Sequence, residues 1–114
     1  MTLIARTWHG RVPTAKADAY DEFLARTGYA DYRATPGNRG LLALRRTEGD
    51  VTHFVLTTFW DSVEAIRRFA GEEIERARYY AEDDEFLLEK EPFVTHHEVL
   101  IAEIRGADGP ERLR

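Results

Sequence analysis

The stretch from Val51 to Gly71 constrains the fold more than any other, because a strand pattern passes directly into a helix pattern. Its first ten residues, VTHFVLTTFW, are rich in β-branched and aromatic side chains, which is typical of a buried strand. We expect Asp61 to cap the following helix, with Glu64 closing a capping box, and Gly71 to end it. Apolar side chains recur behind this cap at helical spacing, at Val63, Ile66 and Phe69. The chain therefore has to bury a strand face and a helix face together.

Trp60 lies at the junction of this strand and helix. Its side chain combines a large apolar ring with one N–H donor, so it suits the wall of a binding pocket. The same ring equally suits the core, where it would close the end of a sheet. The sequence leaves both interpretations of Trp60 open.

Size and composition narrow the class of protein. With 114 residues the chain forms one domain, predicted over residues 1–105, and a polar tail over 106–114 that is expected to be disordered. The net charge of −5 argues against a nucleic-acid partner, which needs a basic surface. The absence of cysteine excludes disulfides and thiolate chemistry. No segment has the composition of a membrane span or a secretion signal, so we expect a cytoplasmic protein without a membrane partner.

The other segments complete an alternating order of strands and helices. We predict a strand at 3–10, a helix from Pro13-Thr14 to a Gly28 cap, a strand at 39–48, a helical piece at 72–82 and a last strand at 93–104. A Gly49-Asp50 turn joins the second and third strands as a hairpin. The carboxylates at 82–85 are expected to form a solvated connector.

The β-α-β-β-α-β order predicts an α+β, ferredoxin-like fold, with helices on one face of a four-stranded antiparallel sheet. We expect strands one and three to be central and parallel to each other, flanked by strands four and two. Three strand ends would then meet at one end of the sheet. They carry Trp8 and His9, Phe59 and Trp60, and residues 94–97.

The sheet face opposite the helices is predicted to be apolar. We expect a second copy of the chain to cover it, because such a face is costly to leave in water. The sequence therefore predicts a homodimer. The side chains assigned to this face are Val51, Val55, Phe59, Val99 and Ile101.

Four pieces of sequence resemble the antibiotic biosynthesis monooxygenase family over residues 3–101: LIARTWHG, FVLTTFWDSVEAIRRFAG, the acidic residues at 82–84 and VTHHEVL. The most specific piece is Trp60 with Asp-Ser after it and a helix that ends in Phe-Ala-Gly. The resemblance implies a dimeric α/β barrel, in which two sheets pack face to face and each subunit has a pocket between sheet and helices. Some members of the family oxygenate phenols or quinols with molecular oxygen and no metal or flavin, and others degrade haem.

Neither branch of the family is matched at every position. The polyketide-oxidising branch pairs the strand-end Trp, here Trp60, with an Asn and a Tyr at the positions of Leu56 and Ile66. The haem-degrading branch carries an Asn, a Trp and a His at three positions that the spacing aligns with residues of this chain. Those residues are Arg6, Phe69 and Tyr79. The resemblance thus implies the fold more firmly than the reaction, and it disfavours haem cleavage.

All four histidines, at positions 9, 53, 96 and 97, lie on predicted strands. His96 and His97 are adjacent, so they point to opposite faces and do not hold one metal ion together. We expect His96 to face the pocket and to transfer protons together with His9. The alternative is that these two histidines bond to each other at the barrel rim. His53 is expected to face away from the helices, and the spacing predicts no metal site.

Three functions are compatible with this sequence. The first is a cofactor-independent monooxygenase that oxidises an electron-rich aromatic, such as a phenol, anthrone or quinol, in an apolar cavity that stabilises the substrate anion and excludes water. The second is a non-catalytic binding protein for a hydrophobic small molecule or a haem-like ligand. The third is a structural protein whose pocket is filled by its own side chains, and a closed interior would favour it.

The enzyme hypothesis assigns roles to particular residues and requires no cofactor. The expected catalytic residues are Trp60, His96, Arg6 and His9. The expected substrate-binding residues are Trp8, Phe54, Leu56, Phe69, Tyr79 and Phe86.

Overall fold

The sheet consists of β1 (Ile4–Pro13), β2 (Asn38–Glu48), β3 (Val51–Trp60) and β4 (Thr95–Glu98). The helices are α1 (Ala17–Arg26), α2 (Gly28–Ala34) and α3 (Val63–Ala70), with short 3₁₀ turns at Thr14–Lys16 and Ala81–Glu85. The computed structural model describes residues 2–105, so the predicted tail at 106–114 lies outside the described residues. Residues 72–93, between α3 and β4, carry one of the 3₁₀ turns and no long element; we call them the roof segment.

The strand order is β2-β3-β1-β4, and every neighbouring pair is antiparallel. Alternate side chains of β3 are buried while their neighbours are half-buried, so one face of the sheet packs against the helices. The buried set is Thr52, Phe54, Leu56, Thr58 and Trp60. The predicted α+β, ferredoxin-like class and the predicted flanking order of the strands are confirmed.

The predicted parallel pairing of the two central strands is wrong. β1 and β3 are antiparallel, with Ile4 opposite Trp60 and Trp8 opposite Leu56. The cause is the β2–β3 hairpin: it reverses the chain, and β3 then enters the gap between β1 and β2, which run in the same direction. Trp60 therefore lies beside Ile4 at the start of β1, whereas His9 lies beside Val55 in the middle of β3, and the three predicted strand ends do not meet.

Gly28 does not end the first helix as predicted. The helix ends at Arg26, and Gly28 begins α2, a second helix that the sequence pattern does not predict. Thr27 separates the two helices, and its hydroxyl donates to the carbonyl of Phe23 at 2.8 Å. Tyr29 and Tyr32 of α2 are both buried, which stabilises this second helix against the core.

The cap of α3 is Ser62 rather than Asp61. The Ser62 hydroxyl accepts a hydrogen bond from the Ala65 N–H at 3.1 Å. Asp61 instead accepts from the guanidinium of Arg39 at 2.9 Å, so its carboxylate is not available to the helix. The predicted stop at Gly71 is confirmed, because Gly71 has a φ of 90°, a conformation that glycine adopts at low cost.

The roof segment is not the helical piece predicted at 72–82. Its backbone pairs with the strand that leads into β4, because the N–H of Ala77 bonds to Pro92 and the N–H of Val94 bonds to Glu75. Arg76 and Phe93 form an antiparallel bridge at the same place. These contacts replace helical hydrogen bonds and hold the segment across the helix-facing side of the sheet.

The last strand is shorter than the predicted 93–104. β4 pairs with β1 only from Thr95 to Glu98, and one further bond runs from the Val99 N–H to the Leu3 carbonyl. β1 begins at Ile4, and residues 100–105 are not paired in the sheet. Ile101, assigned to the open sheet face, is 78% exposed.

Within residues 2–105, no helix is long and apolar enough to cross a membrane.

Candidate functional site

A cavity lies between the helix-facing side of the sheet, the helices and the roof segment. Measured by the space open to the centres of water molecules, its volume is about 20 Å³, which is room for one or two waters. Together with its partly open mouth, the empty space is about 380 Å³. The interior is therefore neither fully closed nor wide enough, as it stands, for a polycyclic ligand.

Five of the residues predicted for the site line this cavity. They are Arg6, Trp8, Leu56, Phe69 and Tyr79. The regular alternation of β1 and β3 brings the first three together, because even-numbered residues of both strands face the helices. Phe69 comes from α3 and Tyr79 from the roof segment.

Arg6 is the most unusual residue of the cavity wall. Its side chain is buried, with only 3% of the residue exposed. Its Nη2 donates to the carbonyl of Arg76 at 2.8 Å, but its Nε–H has no hydrogen-bond partner. Among the described residues no carboxylate forms an ion pair with it. Burial lowers the pKa of Arg6, although a guanidinium stays charged at neutral pH.

Arg78 lies near Arg6 but differs in its partners. Both guanidinium groups contact the ring of Phe69, at 5.6 Å for Arg6 and 4.6 Å for Arg78. Arg78 pairs with the carboxylate of Asp31 at 3.3 Å, and Tyr80 donates its hydroxyl proton to the same carboxylate. Arg6 is therefore the arginine of this pair without a counter-ion.

Tyr32 on α2 adds a neutral phenol to this end of the cavity. Burial raises the pKa of Tyr32 to about 12, while the charges of Arg6 and Arg78 act in the opposite direction. The hydroxyl is thus protonated at neutral pH and remains a hydrogen-bond donor. The sequence analysis missed Tyr32 because it assigned no helix to this part of the chain.

Asp83 is the carboxylate of the cavity wall. It is 3% exposed, and it accepts hydrogen bonds from the Tyr20 hydroxyl at 3.1 Å and the Tyr80 N–H at 2.7 Å. Burial raises the pKa of Asp83 from its ordinary value. The prediction of a solvated connector at 82–85 is wrong for this residue, because the 3₁₀ turn points it inward. Nothing in the run of acids distinguishes it from its neighbours.

Trp8 and Tyr79 close one side of the cavity. The indole N–H of Trp8 donates to the Tyr79 hydroxyl at 3.1 Å, and that hydroxyl donates to the carbonyl of Glu91. Gly10 makes the arrangement possible, since a Cβ at this position would collide with the Trp8 ring. The indole therefore lies over the strand only because residue 10 lacks a side chain.

We expect Gly10→Ala to destabilise the fold by about 1 kcal/mol and to push the Trp8 ring toward the cavity. The measurement is urea unfolding combined with the near-ultraviolet circular dichroism of the two tryptophans. Gly40→Ala is the matched control, because a Cβ at Gly40 comes no closer than 3.4 Å to the Phe59 ring and its backbone does not have a positive φ. An unchanged tryptophan spectrum in the Gly10 variant would contradict this account of Trp8.

Trp60 lies beneath the cavity and does not line it. Trp60 is fully buried, and its indole N–H donates to the Thr58 hydroxyl at 2.8 Å. Its ring contacts Tyr32 and Phe69, at centroid distances of 6.4 and 5.8 Å, and these two residues form part of the wall. The structure thus places Trp60 as support for wall residues.

Phe54 and Phe86 also lie behind the wall. Both rings contact Tyr20, at 5.1 and 5.2 Å, and Phe86 stacks on Phe23. They position Tyr20, whose hydroxyl reaches Asp83, rather than facing the cavity themselves. Their contribution to the site is indirect.

His96 pairs with Arg6 in the sheet register and shares its face. Its Nε2 is buried without a hydrogen-bond partner, and burial and then the Arg6 charge lower the pKa of His96. It is not one of the cavity-lining residues. His97 points to the other face, as the alternation predicted.

His9 lies on the open face of the sheet, away from the cavity. Its ring bonds to His53 at 2.9 Å and to the carboxylate of Glu91 at 2.6 Å, and His53 in turn bonds to Glu48. The predicted pairing of His9 with a strand-four histidine is wrong, because odd-numbered residues of β1 face away from Arg6. His53 faces away from the helices as predicted. Over residues 2–105 no cluster of histidines and carboxylates is arranged to hold a metal ion.

No protein-family model matches the chain. No curated protein matches it either. Solved structures do match, over nearly the whole chain. A putative antibiotic biosynthesis monooxygenase from Bordetella bronchiseptica has a TM-score of 0.64 at 16% identity, and the match covers 89% of this chain and 100% of that one.

Two further structures extend this comparison. SnoaB, a cofactor-independent oxygenase from Streptomyces nogalater, has a TM-score of 0.57 at 14% identity, covering 94% of this chain and 100% of that one. The heme-degrading protein Rv3592 from Mycobacterium tuberculosis has a TM-score of 0.58 at 20% identity, covering 92% and 98%. At these identities the likeness establishes the fold, and the chain has the architecture of proteins named antibiotic biosynthesis monooxygenases, as its sequence resemblance implied.

Proposed function

We propose that this protein is a cofactor-independent monooxygenase that oxidises an electron-rich aromatic molecule, such as a phenol, anthrone or quinol. The observation that carries the proposal is a buried guanidinium, that of Arg6, facing an aromatic-lined cavity without a carboxylate partner. An anionic substrate would supply the missing charge. The shared fold of a cofactor-independent oxygenase supports the same reading.

The reaction needs a proton acceptor and a stabilised anion. Deprotonation of the substrate gives an anion that reduces O₂; for an anthrone, the CH₂ group becomes a carbonyl, and the second oxygen atom leaves as water with the two hydrogens. We assign proton acceptance to Asp83, because burial raises its pKa toward that of a useful base. Arg6 and the Tyr32 hydroxyl stabilise the anion. His96 and Trp60 lie outside the wall, so we assign them no contact with the substrate.

Entry of an aromatic ring requires the roof segment to move. The cavity has room for one or two waters as it stands. The contacts that hold the roof segment to the rest of the domain include those of Arg78 with Asp31, of Asp83 with Tyr20, and of Arg6 with the Arg76 carbonyl. A segment without long helices or strands opens at lower cost than the sheet. Closure after entry would then exclude water from the anion.

Oxygen consumption across a panel of anthrones, naphthols and quinols tests the proposal. We expect at least one substrate to consume O₂ in proportion to protein, with the quinone or carbonyl product identified by mass spectrometry. Asp83→Asn should lower turnover per folded molecule, while Glu82→Gln, one residue away and exposed, should not. If no compound of the panel consumes O₂ faster with protein than in buffer alone, with or without added haem, the proposed enzyme activity is refuted.

A second candidate is a binding protein that holds a hydrophobic or haem-like ligand without turning it over, and the fold shared with a heme-degrading protein supports it. The same panel separates the two functions. Binding by calorimetry under nitrogen together with no oxygen consumption in air would establish the second.

We also propose that the partner of this chain is a second copy, bound through the open face of the sheet. Val51, Val55 and Phe59 lie in the middle of that face and are only half-buried, and Leu44 on β2 beside Val55 is 48% exposed. An apolar strip on a sheet is self-complementary under twofold symmetry. Sedimentation at micromolar concentration should give twice the chain mass of 13.2 kDa, and Val55→Glu should yield monomers. A wild-type monomer would contradict this interface.

A further inference from the structure

The closed end of the cavity presents a single unsatisfied cation. Arg6 is buried, and within residues 2–105 its Nε–H has no hydrogen-bond partner. Burial lowers the pKa of Arg6, Tyr32 acts to raise it, and the neighbouring cation Arg78 acts to lower it. A buried charge without a counter-ion is costly, so proteins usually pair it or use it to bind an ion. Asp31 is the counter-ion of Arg78, whereas no carboxylate in the described part of the chain pairs with Arg6.

We propose that the Nε–H of Arg6 binds an ionised oxygen of the ligand, so that the protein selects aromatic molecules carrying a carboxylate or an acidic phenol or enol over neutral ones of the same shape. The inference rests on the proposed function, whose substrate class it narrows. It concerns the charge state in which the ligand enters, and it holds for the enzyme and for a binding protein alike.

The size of the cavity agrees with a ligand that has an anionic group at one end and an aromatic ring at the other. The space of about 20 Å³ at the wall accommodates one or two oxygen atoms in place of water. Trp8, Phe69 and Tyr79 also line the cavity and provide apolar surface for a ring. The proposal places the anionic group against Arg6 and the ring against these side chains.

Asp83 is the carboxylate of the cavity wall, and its negative charge would repel an anionic ligand. Its two oxygens already accept from Tyr20 and Tyr80, and it is not among the charges that act on Arg6. Arg6 also has a structural role, because its Nη2 holds the carbonyl of Arg76 in the roof segment. The test must therefore separate ligand recognition from the anchoring of the roof.

Calorimetric titration under nitrogen with 2-naphthoate and 2-naphthamide measures the contribution of ligand charge to affinity. The two probes share a ring and differ in charge. We expect wild-type protein to bind the carboxylate about 10-fold or more tighter than the amide. The preference should survive about 0.5 M salt, since a buried charge is screened less than an exposed one. Arg6→Gln should abolish the preference, and Arg6→Lys should keep part of it.

Arg76→Gln is the matched control. Its side chain is exposed and contacts Phe93 and Glu73 outside the cavity, so the variant loses one positive charge from the roof without changing the wall. The preference should be unchanged in this variant. Thermal melts establish that each variant is folded, and the comparison of the two probes on wild-type protein decides the question even if Arg6 variants do not fold.

Equal affinity of wild-type protein for the two probes, or no binding of either at millimolar concentration, would overturn the proposal. So would a preference that Arg6→Gln retains or that Arg76→Gln removes equally. The absence of enzyme activity is a separate result. A preference for the carboxylate without oxygen consumption would contradict the proposed enzyme and support the proposed binding of an anion by Arg6. Oxygen consumption without a preference for the carboxylate would contradict the proposed binding of an anion by Arg6 and would support the proposed enzyme.

Discussion

Trp60→Ala is expected to lower the free energy of unfolding by about 3–5 kcal/mol, the usual cost of removing a large aromatic side chain from a core. Trp60 is fully buried, and its ring supports both Tyr32 and Phe69. Its removal leaves a cavity and a Thr58 hydroxyl without its donor. Urea unfolding followed by far-ultraviolet circular dichroism measures the loss.

Trp60→Phe provides the graded comparison. It keeps most of the apolar volume and deletes the indole N–H, so we expect a smaller loss of about 1–2 kcal/mol and little change in ligand affinity per folded molecule. If Trp60 instead contacts the ligand, as its strand-end position suggested, the phenylalanine variant would lose affinity while its unfolding free energy stayed near that of the wild type.

Asp83→Ala is expected to cost about 1–3 kcal/mol, because it leaves the Tyr20 hydroxyl buried without an acceptor. Tyr20 is 1% exposed, so its hydroxyl has little access to bulk water. The Tyr80 N–H loses its acceptor as well. Asp84→Ala, one residue away and exposed, is the control and should change stability little.

The same carboxyl predicts a pH dependence of a definite sign. Because burial raises the pKa of Asp83 above its ordinary value of 3.8, the folded state binds the proton more tightly than the unfolded state. Its contribution to stability is therefore full below about pH 3.8 and is lost as the pH rises through the folded value.

Asp83→Asn removes this titration. The difference in unfolding free energy between wild type and variant, measured by urea from about pH 3.5 to about pH 7, should shift against the wild type as the pH rises. A difference that is constant across this range would show that the carboxyl of Asp83 is not perturbed by burial.

The sequence predicted those parts of the fold that local pattern encodes. The run at 51–60 is a strand because its β-branched and aromatic residues suit a pleated sheet, and alternation placed Arg6, Trp8 and Leu56 on one face. Strand direction is not a local property. The parallel pairing was therefore wrong, and with it the expected meeting of His9 and Trp60.

The cavity wall depends on contacts that no periodicity reveals. Tyr32 lies on a helix whose stability comes from burial against the core, and Asp83 turns inward from a run of exposed acids. Arg78 lies in the roof segment, where Arg76 and Phe93 form an antiparallel bridge in place of a helix. These residues come together only through tertiary packing, so the sequence identified five of the twelve residues that line the cavity.

The central position of β1 has a consequence for the order in which the molecule folds. β2 and β3 are neighbours in the chain and close as a hairpin at low entropic cost, whereas β1 must find partners as distant as Trp60 and Glu98. Of the four strands of the sheet, β1 is synthesised first and is among the last to be enclosed on both edges. Contacts of such long separation slow folding, so we expect the hairpin to form early and the cavity, which needs Arg6 beside Arg76, to close in the final step.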